Sequence, residues 1–351
     1  MPDFIPYARH EVTEDDIRAV EHVLRHEPLA RGPAIERFEE ALCEAAGAHY
    51  AVAVSSGCVA LLLAESAVLE SLPRSGGTIA QSPLTFVGAA AVAVAFRWGD
   101  GVAWIDVEPE TLCTDLEQCP KRTALAVVTD YAGFPAPTYG RWPFAIIRDA
   151  AHSLGMPGLA DGVDAACLSF HPAKAVCAGE GGAVITNRED IARAVRMKRD
   201  SGRTRGKAVH PSVNFWMDSM SAALGLSQLR RLDANIARRQ EIAAHYYAAF
   251  SQNLSVEYEA EMSAWHIFPL WVSDPDRLRT RLADQGIGTQ VHYPLANTHP
   301  ALRHSAPPNT LGVADEAASC VVSVPMSHTL TDAEVERVIE AVKQAAEEVL
   351  P

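Results

Sequence analysis

Short apolar runs alternate with amphipathic stretches through the first half of the chain. The runs Tyr50–Val54, Thr78–Gln81, Val102–Ile105, Ala124–Thr129, Phe144–Ile147, Ala165–Phe170 and Ala183–Thr186 have strand length and little polar alternation. Strands apolar on both faces belong in a sheet covered on both sides. Between them, Cys58–Leu72, Phe86–Phe96 and Arg188–Arg199 read as helices. This alternation predicts an α/β fold with a mainly parallel, seven-stranded sheet. Ahead of the sheet, Thr13 followed by Glu14, Asp15 and Asp16 reads as an N-cap with an acidic first turn, opening a helix to about Arg25. A second helix starts near Pro33 and stops at Gly47.

Beyond residue 187 the texture changes. Ser219–Phe250 predicts one or two long helices, Trp265–Val272 a strand, Pro275–Gln285 a helix, Cys320–Val324 a strand and Asp332–Val349 a last helix. A chain of 351 residues exceeds the roughly 250–300 at which single cores stop growing. Two domains are therefore expected, 1–245 large and 246–351 small, with the boundary in the region 240–255. Ser201–Ser212, carrying Arg203, Arg205 and Lys207, reads as a mobile loop.

Composition narrows the function classes. Apolar residues make up 48%, and 30 Lys and Arg against 44 Asp and Glu leave a net charge of −14. A surface this acidic argues against nucleic-acid or anionic-membrane partners, though a local pocket can still be basic. The seven cysteines (Cys43, Cys58, Cys113, Cys119, Cys167, Cys177, Cys320) are odd in number and lack Cys-x-x-Cys pairing. That pattern suits reduced thiols and no zinc site. The run Val87–Phe96 has about half the length of a bilayer span. A soluble, cytoplasmic protein is expected.

Candidate chemistry gathers at strand ends. Between two apolar strands, Leu168-Ser-Phe-His-Pro-Ala-Lys174 leads into a glycine-rich turn with Gly179, Gly181 and Gly182. A lysine held there is poorly solvated, which favours its free amine and suits Schiff-base chemistry with an aldehyde such as pyridoxal phosphate. The plain alternative is a surface lysine in a connecting loop. Val54-Ser-Ser-Gly57-Cys58 turns from strand into helix, and a helix N-terminus binds phosphate where glycine allows close approach. Asp149, in Arg148-Asp-Ala-Ala-His152, ends another strand, where ligands bind in open α/β sheets. There it could keep a pyridine nitrogen protonated, or simply cap a helix. Ser82-Pro-Leu-Thr-Phe86 offers an aromatic ring at a further strand end.

These segments resemble the DegT/StrS-type nucleotide-sugar aminotransferases, which have the fold type I architecture of pyridoxal phosphate enzymes. The lysine block, Gly179-Glu-Gly-Gly182, Arg31-Gly-Pro33, Phe38-Glu-Glu-Ala-Leu42, Ala222-Ala-Leu-Gly-Leu-Ser-Gln-Leu229 and Gln290-Val-His-Tyr-Pro294 carry the resemblance over nearly the whole chain. It implies that Lys174 is the Schiff-base lysine and that Asp149 pairs with the pyridine nitrogen. It further implies that Phe86 stacks on the ring, Gly57, Cys58 and Ser169 hold the phosphate, and His152 lies near the ring. Asn214 matches an asparagine that reaches the phosphate from the partner subunit, so a homodimer with shared sites is implied. The implied reaction moves an amine from an amino acid such as glutamate to the 4-keto carbon of a nucleotide-linked sugar. Thr129-Asp-Tyr-Ala-Gly133 and Phe38–Glu44 are most similar to enzymes acting on UDP-4-keto-6-deoxy-N-acetylhexosamines of the pseudaminic acid route.

Four positions depart from the family pattern. Cys58 replaces a threonine, Trp216 an arginine or similar residue, Arg148 an acidic or small residue, and Pro137–Phe144 is too short for a customary helix. Two rivals follow: a pyridoxamine-dependent sugar dehydratase, whose relatives carry histidine at the lysine position, and a cofactor-binding regulator without turnover. A plain dinucleotide-binding protein is disfavoured, since no Gly-x-Gly-x-x-Gly follows the first strand.

Overall fold

In the computed structural model, residues 4–72, 76–95, 101–250, 259–303 and 311–346 are described. A capping box opens α1 (Glu14–His26): the Thr13 hydroxyl accepts from the Asp16 amide, and the Asp16 carboxylate accepts from the Thr13 amide at 2.8 Å. Pro33 sits in the first turn of α2 (Pro33–Ala46), and Gly47, left-handed at φ 62°, closes it. There follow β1 (Tyr50–Val54), α3 (Gly57–Ser71), β2 (Thr78–Gln81), α4 (Val87–Ala95), β3 (Val102–Trp104), β4 (Thr123–Thr129), β5 (Ala145–Asp149), β6 (Ala165–Ser169), β7 (Gly182–Thr186) and α5 (Glu189–Arg199).

The seven strands form one sheet in the order β1-β7-β6-β5-β4-β2-β3. β7 runs antiparallel to both β6 and β1, while the other pairings are parallel. Six strands therefore point their carboxyl ends at one edge. α3 packs on β5, β6 and β7, between α4 and α5. Its residues Ala60–Val68 are all buried, so this stretch is apolar on every side apart from Ser66 and the carboxyl group of Glu65.

After the sheet a hairpin, β8 (Arg203–Thr204) with β9 (Lys207–Ala208), occupies the segment expected to be a mobile loop. Its two turn residues, Arg205 and Gly206, both have positive φ, 49° and 78°, as a tight two-residue hairpin requires. The helical stretch divides into α6 (Ser219–Leu229) and α7 (Leu232–Phe250), and the expected division after residue 245 falls inside α7. The last part comprises β10 (Phe268–Trp271), α8 (Pro275–Asp284), α9 (Gly312–Cys320), β11 (Val321–Val324) and α10 (Asp332–Ala346), with β10 and β11 antiparallel. One apolar cluster runs from Val52 in the sheet through Trp265 to Ala345, so sheet and C-terminal elements share buried surface.

Most expected ends shift by a residue or two, as element ends do. The strand expected from Trp265 begins instead at Phe268, because Trp265 adopts φ 47° and cannot extend a strand. α9 was not expected. No helix lies between Pro137 and Phe144; the segment is held by Trp142 stacked on Phe144 at 5.6 Å. Phe96, the end of the last expected helix at 347–349, and residues 251–255 of the expected boundary lie outside the described residues.

Candidate active site

The lysine arrives from β6. Past Ser169 the chain turns tightly, with the Lys174 amide donating to the His171 carbonyl at 2.8 Å and the Phe170 amide to the Gly181 carbonyl at 2.9 Å. Lys174 is half-buried, and its Nζ lies 3.1 Å from His266 Nε2. Burial lowers its pKa to about 8, against the upward pull of Asp149; the Arg239 guanidinium adds to the lowering. The amine is thus available near neutral pH.

Asp149 ends β5, the strand beside β6, and is buried at 8% exposure. One carboxylate oxygen accepts from the Ala151 amide at 3.2 Å. Burial raises its pKa to about 6, opposed by that amide and by Lys174 and reinforced by Asp130. A carboxylate in this state is poised to take a cationic or N–H partner.

The third contribution comes from β1. Ser56 caps α3, its hydroxyl accepting from the Val59 amide at 3.2 Å, so the Gly57 and Cys58 amides head the helix where intrahelical acceptors are lacking. A Cβ on Gly57 would stand 2.9 Å from the Ser169 Cβ, and one on Gly182 would stand 2.4 Å from the Ser56 carbonyl oxygen. The helix start, the end of β6 and the start of β7 therefore meet at backbone contact, which only glycine permits. Beside them Phe86, which precedes α4, leaves a large ring 53% exposed. A Cβ on Gly88 would meet that ring at 2.6 Å and the Cys58 Sγ at 3.1 Å, so ring and thiol lie on the same shelf.

A group with a phosphate, a flat heterocycle and an aldehyde fits these residues. Helix amides and the Ser169 hydroxyl suit the phosphate, the exposed Phe86 ring a flat face, the buried Asp149 a ring nitrogen, and Lys174 the aldehyde carbon.

Histidines and tyrosines close the far side. His152 is buried, its Nε2 lies 2.9 Å from the Tyr293 hydroxyl, and its ring centroid is 4.3 Å from that of His266. His292 Nδ1 lies 2.9 Å from the Ser323 hydroxyl, and Tyr131 donates to the His292 carbonyl. Burial lowers the pKa values of all three histidines, with the Lys174 charge adding to it, so the imidazoles are neutral at pH 7. His266 and Arg239 were absent from the sequence reading. Nothing in a lone histidine at the head of an apolar strand marks it out, because its place is set by contacts distant in sequence.

The remaining expected residues fall as follows. Asn214 is exposed, its side-chain oxygen accepting from the Trp216 amide at 3.3 Å, while the neighbouring Phe215 carbonyl accepts from the Ser55 amide at 3.0 Å. The Asn214 segment is thereby tied to the Ser-Ser-Gly turn of its own chain. Trp216 lies face-on to the Arg199 guanidinium at 3.6 Å and donates from Nε1 to Asp200. It lines a cleft with Arg31, Glu39, Cys43 and Tyr50, none of them in the lysine site. Arg203 pairs with Asp200 at 2.9 Å, whereas Lys207 is exposed. Among the described residues no cluster of three metal-ligating side chains occurs, and no helix is long and apolar enough to cross a membrane.

A mainly parallel sheet with a lysine, a carboxylate and a helix N-terminus gathered at one edge defines a fold type I, pyridoxal phosphate-dependent aminotransferase. Comparison with known proteins narrows the class. Residues 10–343 match the model of the DegT/DnrJ/EryC1/StrS aminotransferase family, and the chain belongs to that family. Among solved structures it is similar to S. venezuelae DesV in complex with a ketimine intermediate, at 28% identity and a TM-score of 0.85 over 95% of this chain and 94% of that one. The sugar aminotransferase CalS13 from Micromonospora echinospora shares 26% identity and a TM-score of 0.87, over 97% and 99%. Helicobacter pylori PseC, an aminotransferase of pseudaminic acid biosynthesis, has the same fold at 23% identity and a TM-score of 0.87, over 99% and 100%.

Proposed function

We propose that this sugar aminotransferase moves an amino group from an amino acid, glutamate, to the 4-keto carbon of a nucleotide-linked deoxy sugar such as a UDP-4-keto-6-deoxy-N-acetylhexosamine, working as a homodimer with shared sites. The observation that carries the reading is one of placement: Lys174 follows β6, the buried Asp149 ends the neighbouring β5, and the Gly57–Cys58 helix start meets Ser169 at the same sheet edge. The sugar rests on the family and on the sequence patterns around Phe38 and Asp130. PseC, named for the pseudaminic acid route, supports that choice by fold alone.

Pyridoxal phosphate, when bound, supplies a ring into which the electron pair left by a departing proton spreads. This chain's residues do the rest. Lys174 Nζ would hold the aldehyde carbon and, as a free amine of lowered pKa, would take the proton from the donor's α-carbon and deliver it to the cofactor side. Asp149, a buried carboxylate, would pair with the ring nitrogen and hold its proton there. The Gly57 and Cys58 amides and the Ser169 hydroxyl would hold the phosphate, and the exposed Phe86 ring would serve one face of the heterocycle. His152 would border the ring, and in the proposed homodimer the second copy's Asn214 would complete the phosphate site. The hairpin with Arg203, Arg205 and Lys207 supplies charge for a diphosphate.

Trp216 does not favour a regulator without turnover, since it packs on Arg199 in a separate cleft. Borohydride reduction of the loaded protein is expected to leave the cofactor's mass on the peptide containing Lys174. Glutamate with a panel of 4-keto nucleotide sugars should then give the amino sugar from the UDP-linked N-acetylhexosamine. An adduct without amination of any sugar sinks the substrate, and no adduct sinks the lysine assignment.

A further inference from the structure

We propose that His266 is a positioning residue for Lys174: its imidazole receives the lysine amine whenever that amine is free, and aims it for proton transfer. The inference rests on the assignment of Lys174 as the cofactor lysine, and its test separates the two.

Two features of placement lead to it. The first is rigidity. His266 precedes β10, and its own amide donates to the Ala132 carbonyl at 2.9 Å. Two residues back, the Ala264 amide donates to Gly133 at 3.1 Å. From α7, the fully buried Arg239 donates through one nitrogen to the carbonyls of Trp265 at 2.9 Å, Met326 at 3.3 Å and His266 at 3.4 Å. The backbone carrying His266 is thus fastened both to the turn after β4 and to the C-terminal elements. Lys174, by contrast, has a flexible four-carbon stem that must alternate between a linked and a free position.

The second is an unbalanced hydrogen-bond inventory. Among the described residues the His266 side chain makes one hydrogen bond, to Lys174, while its buried Nδ1 finds no partner. A buried ring nitrogen left unpaired is costly, and such exceptions concentrate at functional sites. When Lys174 is an ammonium, it has no acceptor capacity, so Nε2 must accept and Nδ1 carries the hydrogen. His152, its ring tilted by 46° with centroids 4.3 Å apart, packs against this imidazole and limits its rotation. The imidazole therefore offers one fixed lone pair, directed at the lysine.

The groups acting on Lys174 are Asp149 from β5, Cys58 from α3 and Arg239 from α7. Those acting on His266 are Lys174, His152, Arg239 and His292. Burial first, then the Lys174 and Arg239 charges, keeps the imidazole neutral, so it acts as an acceptor and not as a competing cation. A neutral acceptor on the ammonium favours the charged form and raises the lysine pKa, partly offsetting burial.

The test uses the full chain without cofactor. Cyanate modification of Lys174 is followed by mass on its peptide across pH 6–11 for wild type, His266→Met and His266→Gln. Met fills the volume with a weak acceptor, and Gln keeps a strong one. His266→Met is expected to lower the lysine midpoint by about 0.5–1 pH, the worth of one hydrogen bond, and His266→Gln to restore it. With pyridoxal phosphate and glutamate alone, His266→Met should slow the absorbance change of the half-reaction about 10–100-fold, as a misplaced reacting group does, and His266→Gln less. Wild-type midpoint and rate in His266→Met overturn the proposal. Should that variant not fold, wild-type protein with 15N-histidine decides: the imidazole whose signals vanish in His266→Gln must shift with the Lys174 titration and lose that step in Lys174→Ala. If it does not, the proposal fails. Absence of a borohydride adduct on Lys174 would instead refute the lysine assignment.

Discussion

Arg148 and Asp149 are adjacent in β5 and serve opposite faces of the sheet. Asp149 bonds the Ala151 amide at the edge where Lys174 lies. Arg148 turns away into a buried cluster, donating to Asp130 at 2.7 Å and to Thr138 at 3.0 Å. Asp130 also accepts from the Ala136 amide and the Ser153 hydroxyl. The basic residue that departs from the family pattern therefore neutralises Asp130, whose own negative charge would otherwise bear more strongly on Asp149. Strand alternation makes this separation possible with no intervening residue.

Arg148→Leu leaves Asp130 buried without its counter-charge and is expected to cost about 3–5 kcal/mol. Adding Asp130→Asn, which still accepts from Ala136, should recover about half of that. Urea denaturation of both variants checks the pair, and an unperturbed single variant would show that Asp130 is already neutral.

Asp149→Asn should load cofactor onto Lys174 with the borohydride adduct intact, yet slow the glutamate half-reaction by about 10²–10³-fold, the usual effect of removing one charge-stabilising group. Single-turnover absorbance measures it. A loss of loading instead would mean that Asp149 serves binding more than electron withdrawal.

Much of this was legible in the chain because the informative features are local. β1, β5 and β6 read as apolar runs, and the residues flanking their carboxyl ends, Ser-Ser-Gly-Cys, Asp149 and Lys174, follow directly in sequence. The reversal of β7 was not legible: Gly182–Thr186 is as apolar as its parallel neighbours, and direction is decided by the short turn from Phe170 to Gly181. Trp265, large and apolar, predicts strand; its positive φ follows from the anchoring of Ala264 and His266 to residues more than a hundred positions earlier. His266 was invisible for the same reason. The charged residues around Arg205-Gly206 predict a solvated loop and hide the hairpin, although a Gly at the second turn position is a usable signal.

Cys58→Ser places a hydroxyl where the phosphate is expected, beside the Gly57 amide. One added hydrogen bond to a charged group is worth at most about 1.5–3 kcal/mol, so cofactor dissociation should slow and Kd fall by up to about 10–100-fold. Equilibrium dialysis reads it. An unchanged Kd would place the phosphate away from the helix start.

Glu65 lies in the middle of α3 with both carboxyl oxygens buried and unpartnered among the described residues. Burial raises its pKa well above the ordinary value, so the folded protein holds a neutral acid that unfolding releases to ionise. The folded pKa being the higher, the unfolded state binds fewer protons between the two values, and stability falls as pH rises from about 4.5 toward the folded pKa. Glu65→Met removes the titration and keeps the volume. Its gain over wild type should be small at pH 4.5 and widen toward pH 7, by at most about 1.4 kcal/mol per pH unit. Every other titrating group is common to both proteins and cancels in the difference. Guanidinium melts at several pH values would give the gap directly, and a gap independent of pH would show that Glu65 is ionised in the fold and held by a partner.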